Sequence, residues 1–267
     1  MTDGWLKATL RQSFRWYLNR FPLRDGKAKL YEALHESLRP QERFALVRVS
    51  PGFSLRCDLR DPEQLKIYFF GHYHERYEAR LIAQLLRPHD HFWDIGANIG
   101  YFTLLAAAAL QHTGSVVALE PGEAAFAGLR ENLAVNDFKN IRAFKLAAAD
   151  RPGQARLYLS PHIAADTGAS LFQSGADREQ VEMVRTEALD EFMEHEHLPP
   201  PHVVKIDVEG AELAVLQGAR NLLTEFAPLL LVEMEAKPLT AAGTDKGAIQ
   251  KFLSPLGYQG AFLQKGR

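Results

Sequence analysis

The segment 94–100 has the residue types and spacing of a loop that receives a nucleotide-like ligand. It reads Asp-Ile-Gly-Ala-Asn-Ile-Gly and lies between a short apolar run and a helical pattern. Gly96 permits a tight turn and lets the backbone approach a ligand with no Cβ in the way. The helix that follows offers unpaired N–H groups and the positive end of its dipole. We therefore expect a ligand here, with a plain strand-to-helix turn as the alternative.

Two further carboxylates extend this pattern towards a nucleoside site. Glu120 ends the apolar run 116–120, where it can accept hydrogen bonds from both hydroxyls of a ribose. The third apolar run ends in three alanines and Asp150. Those small residues leave space for a flat adenine, and Asp150 could accept from its exocyclic amine. An ordinary turn at 150–153 is the alternative for Asp150.

The same loop disfavours a nicotinamide dinucleotide. That fingerprint places glycines in the order G-x-G-x-x-G, so that the backbone meets a pyrophosphate. Asn98 stands at the second glycine position, and Gly100 comes one step early for the third. An NAD-dependent oxidoreductase is therefore the weaker hypothesis.

The elements that would position these residues alternate between strand and helix from residue 91 onward. Such alternation predicts an α/β fold with a doubly wound, mostly parallel, Rossmann-like sheet. The predicted strands are 92–95, 115–120, 141–146, 203–207 and 229–233. The predicted helices are 99–110, 123–135, 210–223 and 247–253. Two further β segments, 155–160 and 181–186, flank a polar loop.

Residues 1–60 are predicted to form a separate extension, and residues 61–267 the main domain. Residues 1–30 carry seven basic and two acidic side chains, with a helical apolar stripe that stops near Pro22. The stripe consists of Leu6, Leu10, Phe14, Leu18 and Phe21. This basic amphipathic helix either packs on the main domain or a second subunit, or contacts a membrane or a lipid-linked substrate. The runs 43–49 and 53–58 predict a β-hairpin, and 75–86 a further helix.

Composition narrows the class of protein. The chain has 267 residues and a formal net charge of -2, which disfavours a general nucleic-acid binder. Cys57, the single cysteine, cannot form an internal disulfide, so we expect a reducing compartment. No apolar run approaches the ~20 residues that cross a bilayer, and the N-terminus lacks the apolar region of a signal peptide. The expected location is the cytoplasm, with peripheral membrane contact as an option.

Two motifs in this order resemble the signatures of the FkbM family of methyltransferases. The run 92–103, Phe-Trp-Asp-Ile-Gly-Ala-Asn-Ile-Gly-Tyr-Phe-Thr, is similar to the first motif. The run 205–212, Lys-Ile-Asp-Val-Glu-Gly-Ala-Glu, resembles the second, and 67–71 resembles the lead-in segment. The resemblance covers roughly residues 55–260. It implies a class I, Rossmann-like methyltransferase that uses S-adenosylmethionine, mainly on hydroxyl oxygens of sugars, glycolipids and natural products.

The resemblance implies that the residues singled out above form the binding site of the methyl donor, S-adenosylmethionine. A non-catalytic donor-binding module and an N-methyltransferase are the alternatives to an O-methyltransferase. The residues expected to bind S-adenosylmethionine are Asp94, Gly96, Ala97, Asn98, Gly100, Tyr101, Glu120 and Asp150.

The expected chemistry centres on carboxylates at the ends of the fourth and fifth strands. Methyl transfer to an alcohol requires alignment of the reacting atoms and removal of the acceptor proton. Asp207 is the first choice for the base, and Glu233 could share its site. Two carboxylates would also suit Mg²⁺, although no spacing demands the metal. The alternative for Asp207, Glu209 and Glu212 is dipole stabilisation of a helix start, ~0.3–1 kcal/mol each.

The acceptor is expected to be a small molecule or a glycan. Candidate acceptor contacts are Tyr73, His74, Glu209 and Glu235. The family that the sequence resembles often carries histidine or asparagine soon after the glutamate of the fifth strand, whereas this chain reads Glu233-Met234-Glu235. Class I methyltransferase sheets usually finish with a further antiparallel strand, whereas this sequence has a single strand-like run, 258–263, after the fifth strand. The sheet edge that this leaves exposed could be covered by a second subunit, which would make a homo-oligomer.

Overall fold

The computed structural model describes residues 4–21, 26–49, 52–73, 76–159, 169–172 and 180–261. The chain divides into two compact units, Met1–Arg76 and Tyr77–Arg267. The domain boundary predicted between residues 60 and 61 stays a prediction.

The first unit contains helices and the predicted hairpin. Its strands pair in antiparallel fashion, with Phe44 opposite Asp58 and Val49 opposite Phe53. Cys57 is buried in the second strand, and burial raises the pKa of its thiol to about 12. The described elements are α1 (Trp5–Arg20), α2 (Lys27–Leu34), β1 (Phe44–Val49), β2 (Phe53–Asp58) and α3 (Pro62–Phe70).

Two arginines of α1 are used inside this unit. The guanidinium of Arg15 lies 3.9 Å from the centre of the Tyr68 ring, and its Nε donates to the Tyr68 carbonyl at 2.9 Å. Arg11 is buried, and its Nε donates to the Leu38 carbonyl at 2.8 Å. Arg11 and Arg15 are therefore part of the packing inside the first unit and do not only add charge to its surface.

The apolar residues of the predicted stripe on α1 do not share one environment. Phe14 and Leu18 are buried, but Leu6 and Leu10 are 66% and 52% exposed. Residues four apart drift by about 40° at each step, because an α-helix has 3.6 residues per turn. Leu6 is therefore about 120° away from Leu18 around the helix. Trp5 and Trp16, 82% and 60% exposed, lie on the outer side with Leu6 and Leu10.

The second unit holds the strand–helix alternation. No helix of the described ranges is both long enough and apolar enough to cross a membrane. Its helices are α4 (Arg76–Leu85), α5 (Tyr101–Leu110), α6 (Glu123–Ala134), α7 (Leu189–His195), α8 (Glu212–Gln217), α9 (Arg220–Phe226), α10 (Ala236–Ala241) and α11 (Lys246–Leu253). Its strands are β3 (His91–Ile95), β4 (Ser115–Leu119), β5 (Ile141–Phe144), β6 (Ala147–Ala148), β7 (Gly153–Leu159), β8 (Gln180–Glu187), β9 (Val203–Ile206) and β10 (Leu229–Val232).

The five-stranded sheet confirms the predicted parallel α/β fold. Its strands lie in the order β10-β9-β3-β4-β5, and every neighbouring pair is parallel. All four residues of β9 are buried, as expected for a strand covered on both faces. The chain runs from β3 outward to β5 and then returns to the other side of β3. This reversal puts a topological switch point between β3 and β9, where open α/β sheets bind their ligands.

Two parts of this unit differ from the prediction, whereas the extra β segments predicted at 155–160 and 181–186 are confirmed as β7 and β8. The helix predicted at 210–223 is two helices, because Gly218 packs so closely on the Ala149 carbonyl that a Cβ would overlap it. Asp190 then accepts the backbone N–H groups of Asn221 and Leu222 at the start of α9. Residues 258–261 are not a strand, and 262–267 are outside the described residues. The extra β segments form a second sheet, β6-β8-β7.

Candidate active site

The two sequence motifs meet through their backbones at the switch point. The backbone N–H of Asp207 donates to the Ile95 carbonyl at 3.0 Å. Gly96 has a φ of +82°, and a Cβ at this position would overlap the Asp207 carbonyl oxygen. Glycine is thus required at position 96 both for its backbone conformation and for this close approach. The end of β9 therefore lies directly against the glycine loop.

The glycine loop is held by β4 and by Glu120. Gly96 and Ala97 both donate their N–H groups to the Leu119 carbonyl at 2.9 Å. The N–H of Asn98 donates to Glu120 Oε2 at 2.8 Å. Asn98 has a φ of +50°, a left-handed conformation that asparagine tolerates better than most residues. This preference explains a residue other than glycine at the second position of the loop.

Glu120 is a buried carboxylate at the tip of β4. Its Oε1 accepts the N–H of Gly122 at 2.9 Å, and its Oε2 accepts that of Asn98. Burial raises the pKa of Glu120 to about 7, with a smaller contribution from the charges of Asp94 and Asp207, against the two backbone hydrogen bonds. Each carboxylate oxygen has a second lone pair. Glu120 can therefore accept hydroxyl groups of a ribose while it holds the loop.

Asp94 lies beneath the loop and is fully buried. Thr103 Oγ1 donates to its Oδ2 at 2.6 Å, whereas Oδ1 has no hydrogen-bond partner and lies 3.9 Å from Lys205 Nζ. Burial raises the pKa of Asp94, and the ammonium of Lys205 opposes that rise. The structure thus places Asp94 as a support of the loop and of Lys205. Its predicted contact with a donor stays a prediction.

The remaining predicted donor residues differ in their exposure. Tyr101 begins α5, is buried, and packs edge-to-face on Phe102 at 5.3 Å. Gly100 precedes it with a φ of +89°. Asp150 is exposed at the turn before β7, and Arg151 Nε lies 3.8 Å from its carboxylate. The adenine contact proposed for Asp150 stays a prediction.

Asp207 lies at the end of β9 and is paired with a buried lysine. Lys205 Nζ donates to Asp207 Oδ2 at 2.9 Å. The Asp207 side chain is 27% exposed, whereas that of Lys205 is only 8% exposed. Asp207 is therefore partly accessible at this edge of the sheet, while its ammonium partner is buried. Sequence reasoning missed this partner, although the two residues lie on the same face of one strand.

The turn after Asp207 is fixed from both sides. Glu209 has a φ of +53° and Gly210 a φ of +109°. Glu212 Oε1 accepts the N–H of Gly210 at 3.0 Å, so this carboxylate stabilises the turn. Because Glu212 is buried, it is not an exposed ligand. Ser170, between β7 and β8, donates its hydroxyl to the Glu209 carbonyl at 2.5 Å. The segment 169–172 thereby lies against the turn that carries Glu209.

The predicted acceptor contacts are only partly placed. The backbone N–H of Glu233, just after β10, donates to the Ile206 carbonyl at 2.9 Å, which puts Glu233 at the same sheet edge as Asp207. Glu235 is exposed at the start of α10. Tyr73 belongs to the first unit, where its carbonyl lies 2.8 Å from His72 Nδ1. His74 lies outside the described residues, and these acceptor contacts stay predictions.

A magnesium site does not fit the residues that the structure describes. Within them, no group of three or more histidine, cysteine, aspartate or glutamate side chains could hold a metal ion. The Asp207 carboxylate already has a cation beside it, the ammonium of Lys205. Asp207 and Glu233 are therefore not assigned as metal ligands.

Comparison with known proteins gives the chain a family. Residues 94–259 match the model of the Methyltransferase FkbM domain. The chain is 30% identical to the hexuronic acid methyltransferase AglP of Haloferax volcanii over 175 residues, 66% of each chain. It is 31% identical to the 31-O-demethyl-FK506 methyltransferase FkbM of Streptomyces tacrolimicus over 163 residues, 51% of this chain and 62% of that one. The chain thus spans just under two thirds of the length of these relatives.

Among solved structures, a methyltransferase FkbM from Methylobacillus flagellatus aligns with 90% of this chain and 56% of its own. The identity is 16% and the TM-score 0.43. The match to the family model, by contrast, covers more than half of the chain and begins at the first residue of the glycine loop. The chain therefore belongs to the FkbM methyltransferase domain family.

Proposed function

We propose that this chain transfers a methyl group from S-adenosylmethionine to a hydroxyl oxygen of a sugar-containing or natural-product acceptor. The observation that carries the proposal is the contact of the two family motifs at the switch point, with Glu120 on one side and Asp207 on the other. The names of the two relatives support the acceptor class, because one is a hexuronic acid methyltransferase and the other acts on a 31-O-demethyl compound.

Glu120 and the glycine loop fit the nucleoside end of such a donor. Glu120 would accept the ribose hydroxyls through the lone pairs that Gly122 and Asn98 do not use. The exposed Asp150 would accept the exocyclic amine of the adenine. When bound, the donor supplies a methyl group already activated by a positively charged sulfur. The protein mainly has to align the acceptor oxygen with the methyl group and the sulfur. Such alignment can lower the activation barrier by ~7–11 kcal/mol.

Asp207 would act on the acceptor proton. An alcohol is a weak nucleophile until its proton is removed, and a carboxylate within hydrogen-bond reach can accept that proton as the new bond forms. Asp207 combines partial exposure with a fixed position at the end of β9. Glu233, Glu209 and Glu235 lie at or close to the same sheet edge and would contact acceptor hydroxyls. Tyr73 and His74 remain candidates for the same role.

Calorimetry with S-adenosylhomocysteine tests the donor site. We expect wild-type protein to bind and Glu120→Ala to lose about tenfold or more in affinity, because a charged hydrogen-bond acceptor is removed. Glu225→Ala, which removes an exposed carboxylate on α9, is the matched control and should bind normally. Equal affinity in all three proteins would reject the proposed donor site.

Transfer of labelled methyl groups tests the reaction. The acceptor panel would contain the methyl glycosides of glucuronic acid, glucose and rhamnose, with a primary amine to detect N-methylation. Asp207→Asn should lower turnover by about 100-fold or more, the usual size of a general-base contribution. Asp137→Asn, at an exposed surface pair with Lys139, should not. A protein that binds S-adenosylhomocysteine but turns over no acceptor would instead be a binding module.

The exposed face of α1 supports a second proposal, contact with a lipid bilayer that carries anionic headgroups. Trp5, Trp16, Leu6 and Leu10 are all more than half exposed. Tryptophan favours the boundary between lipid and water, where its ring is buried and its N–H stays hydrated. Flotation on phosphatidylglycerol vesicles should fall in Trp5→Ser/Trp16→Ser but not in Tyr77→Ser, whose exposed aromatic ring lies on α4. Unchanged flotation would reject the contact.

Self-association and a cytoplasmic location also remain proposals. Among the residues that the structure describes, the strand β10 is one edge of the five-stranded sheet, and Leu229 on it is exposed. An unpaired edge can recruit a second copy of the same chain. Light scattering of the purified protein would show a dimer if this edge pairs, and a monomer would reject the proposal.

A further inference from the structure

Lys205 is a buried cation between two carboxylates on neighbouring strands. Its register partner on β3 is Asp94, and Asp207 lies two residues further along β9 on the same face. Lys205 Nζ is 2.9 Å from Asp207 Oδ2 and 3.9 Å from Asp94 Oδ1. It also lies 4.8 Å from the centre of the Phe102 ring, which covers it from α5.

A buried lysine is an unfavourable residue at this position if its only role is to fill space in the core. Moving an ammonium out of water costs several kcal/mol, and well-packed apolar residues often replace such buried pairs without loss of stability. A methionine would fill a similar volume at position 205 with no charge. The charge must therefore be explained by what it does for Asp94 and Asp207. Of these two, only Asp207 is partly exposed.

The ammonium lies within 4 Å of an oxygen of each carboxylate, so both carboxylates have a cation beside them inside the protein. A carboxylate at the end of a strand can rotate about its side-chain bonds. The hydrogen bond from Lys205 holds Oδ2 of Asp207 on the inner side, so that the carboxylate has a fixed orientation. Asp94, which is held in turn by Thr103, fixes the lysine from below.

We propose that Lys205 is a positioning residue, which uses its charge to orient the Asp207 carboxylate towards the acceptor hydroxyl and so replaces a metal ion. The proposal rests on the proposed methyltransferase function. It predicts that methyl transfer is insensitive to EDTA. It also predicts that the loss of Lys205 affects turnover much more than donor binding, because Glu120 and the glycine loop are left intact.

The test is chemical rescue of Lys205→Ala. This variant should bind S-adenosylhomocysteine within about threefold of wild type, while its kcat on the best acceptor of the panel falls by about 100-fold, as when one preorganised polar group is removed. Propylammonium has the same atoms as the lysine side chain beyond Cβ. It should raise the kcat of Lys205→Ala by at least about tenfold. The neutral isostere 1-propanol, and sodium chloride at equal ionic strength, should not raise it. Lys66→Ala, which breaks a partly buried pair with Glu63 on α3, is the control.

Each outcome decides between the proposals. Rescue by propylammonium but not by 1-propanol supports the positioning role. Equal effects of the two additives, or an unchanged kcat in Lys205→Ala, would overturn it while methyl transfer by the wild type still stands. A wild-type protein with no turnover would remove the proposed function and this role together. If Lys205→Ala does not fold, Lys205→Met preserves most of the volume, and its kcat and S-adenosylhomocysteine affinity decide the same question.

Discussion

At the scale of single residues, the environment of Glu120 sets the protonation state of the donor site. This carboxylate is buried, and desolvation disfavours its charged form. Two backbone N–H groups favour the charged form but do not outweigh burial, since the pKa rises to about 7. Near neutral pH the ligand-free protein therefore contains both forms of Glu120. Ribose hydroxyls would donate to the ionised form and so favour release of its proton.

This raised pKa predicts how stability depends on pH. Because the folded pKa lies above the unfolded value of 4.5, the stabilisation is complete below about pH 4.5 and is lost as the pH rises through about 7. Relative to Glu120→Gln, the wild type should lose about 2.5 kcal/mol of unfolding free energy between pH 5 and pH 8. Urea denaturation of both proteins at pH 5, 6, 7 and 8 measures this difference. Parallel curves would show that Glu120 ionises in the fold as easily as in the unfolded chain.

The sequence could indicate the type of these residues but not their partners. A carboxylate at the end of the second apolar run was enough to single out Glu120, because strand ends in such sheets face the ligand edge. Its hydrogen bond to Asn98, and that of Ser170 to Glu209, join residues 22 and 39 positions apart. Such contacts depend on how the elements pack, and no local pattern encodes them. The same is true of the burial that raises the pKa of Glu120.

At the scale of elements, the junction of β3, the glycine loop and β9 holds the two motifs together. We expect Gly96→Ala to destabilise the protein by about 3 kcal/mol or more, since the methyl group meets backbone and cannot be accommodated by a side-chain movement. Gly243→Ala is the matched control. Its φ of +71° is similarly left-handed, but no atom lies within 4 Å of the added Cβ. That variant should lose only about 1 kcal/mol, the cost of the backbone conformation.

Urea denaturation of Gly96→Ala, Gly243→Ala and the wild type measures both effects. Equal losses in the two variants would mean that the approach of Gly96 to the Asp207 carbonyl is looser than the structure shows.

The elements themselves were predictable where periodicity was strong. The five parallel strands start within a residue of the predicted positions, because buried parallel strands are continuous apolar runs. The division of 210–223 into two helices was not predictable, since it depends on contacts of Gly218 and Asp190 with distant backbone. On α1, a spacing of four residues looked like one face but spreads around the helix over three turns.

At the scale of the whole molecule, two compact units share one chain and need not unfold together. A ligand stabilises only the unit that binds it. With S-adenosylhomocysteine at 100 times its dissociation constant, that unit should gain about 2.7 kcal/mol and about 5–10 °C in Tm. Scanning calorimetry with this ligand, with NAD and with neither makes the measurement. A shift with NAD alone would favour the oxidoreductase hypothesis over methyl transfer.

The buried thiol of Cys57 has a practical consequence. As the single cysteine, it lies inside the first unit with a pKa raised to about 12, so it should react very slowly with maleimides at neutral pH. The protein with its natural sequence should therefore take up very little maleimide dye, which suits it to labelling at an introduced cysteine. A cysteine in place of Ser13, another exposed residue of α1, would be the dominant reactive group and would leave Trp5 and Trp16 in place. An environment-sensitive dye attached there would report on what the exposed face of α1 touches.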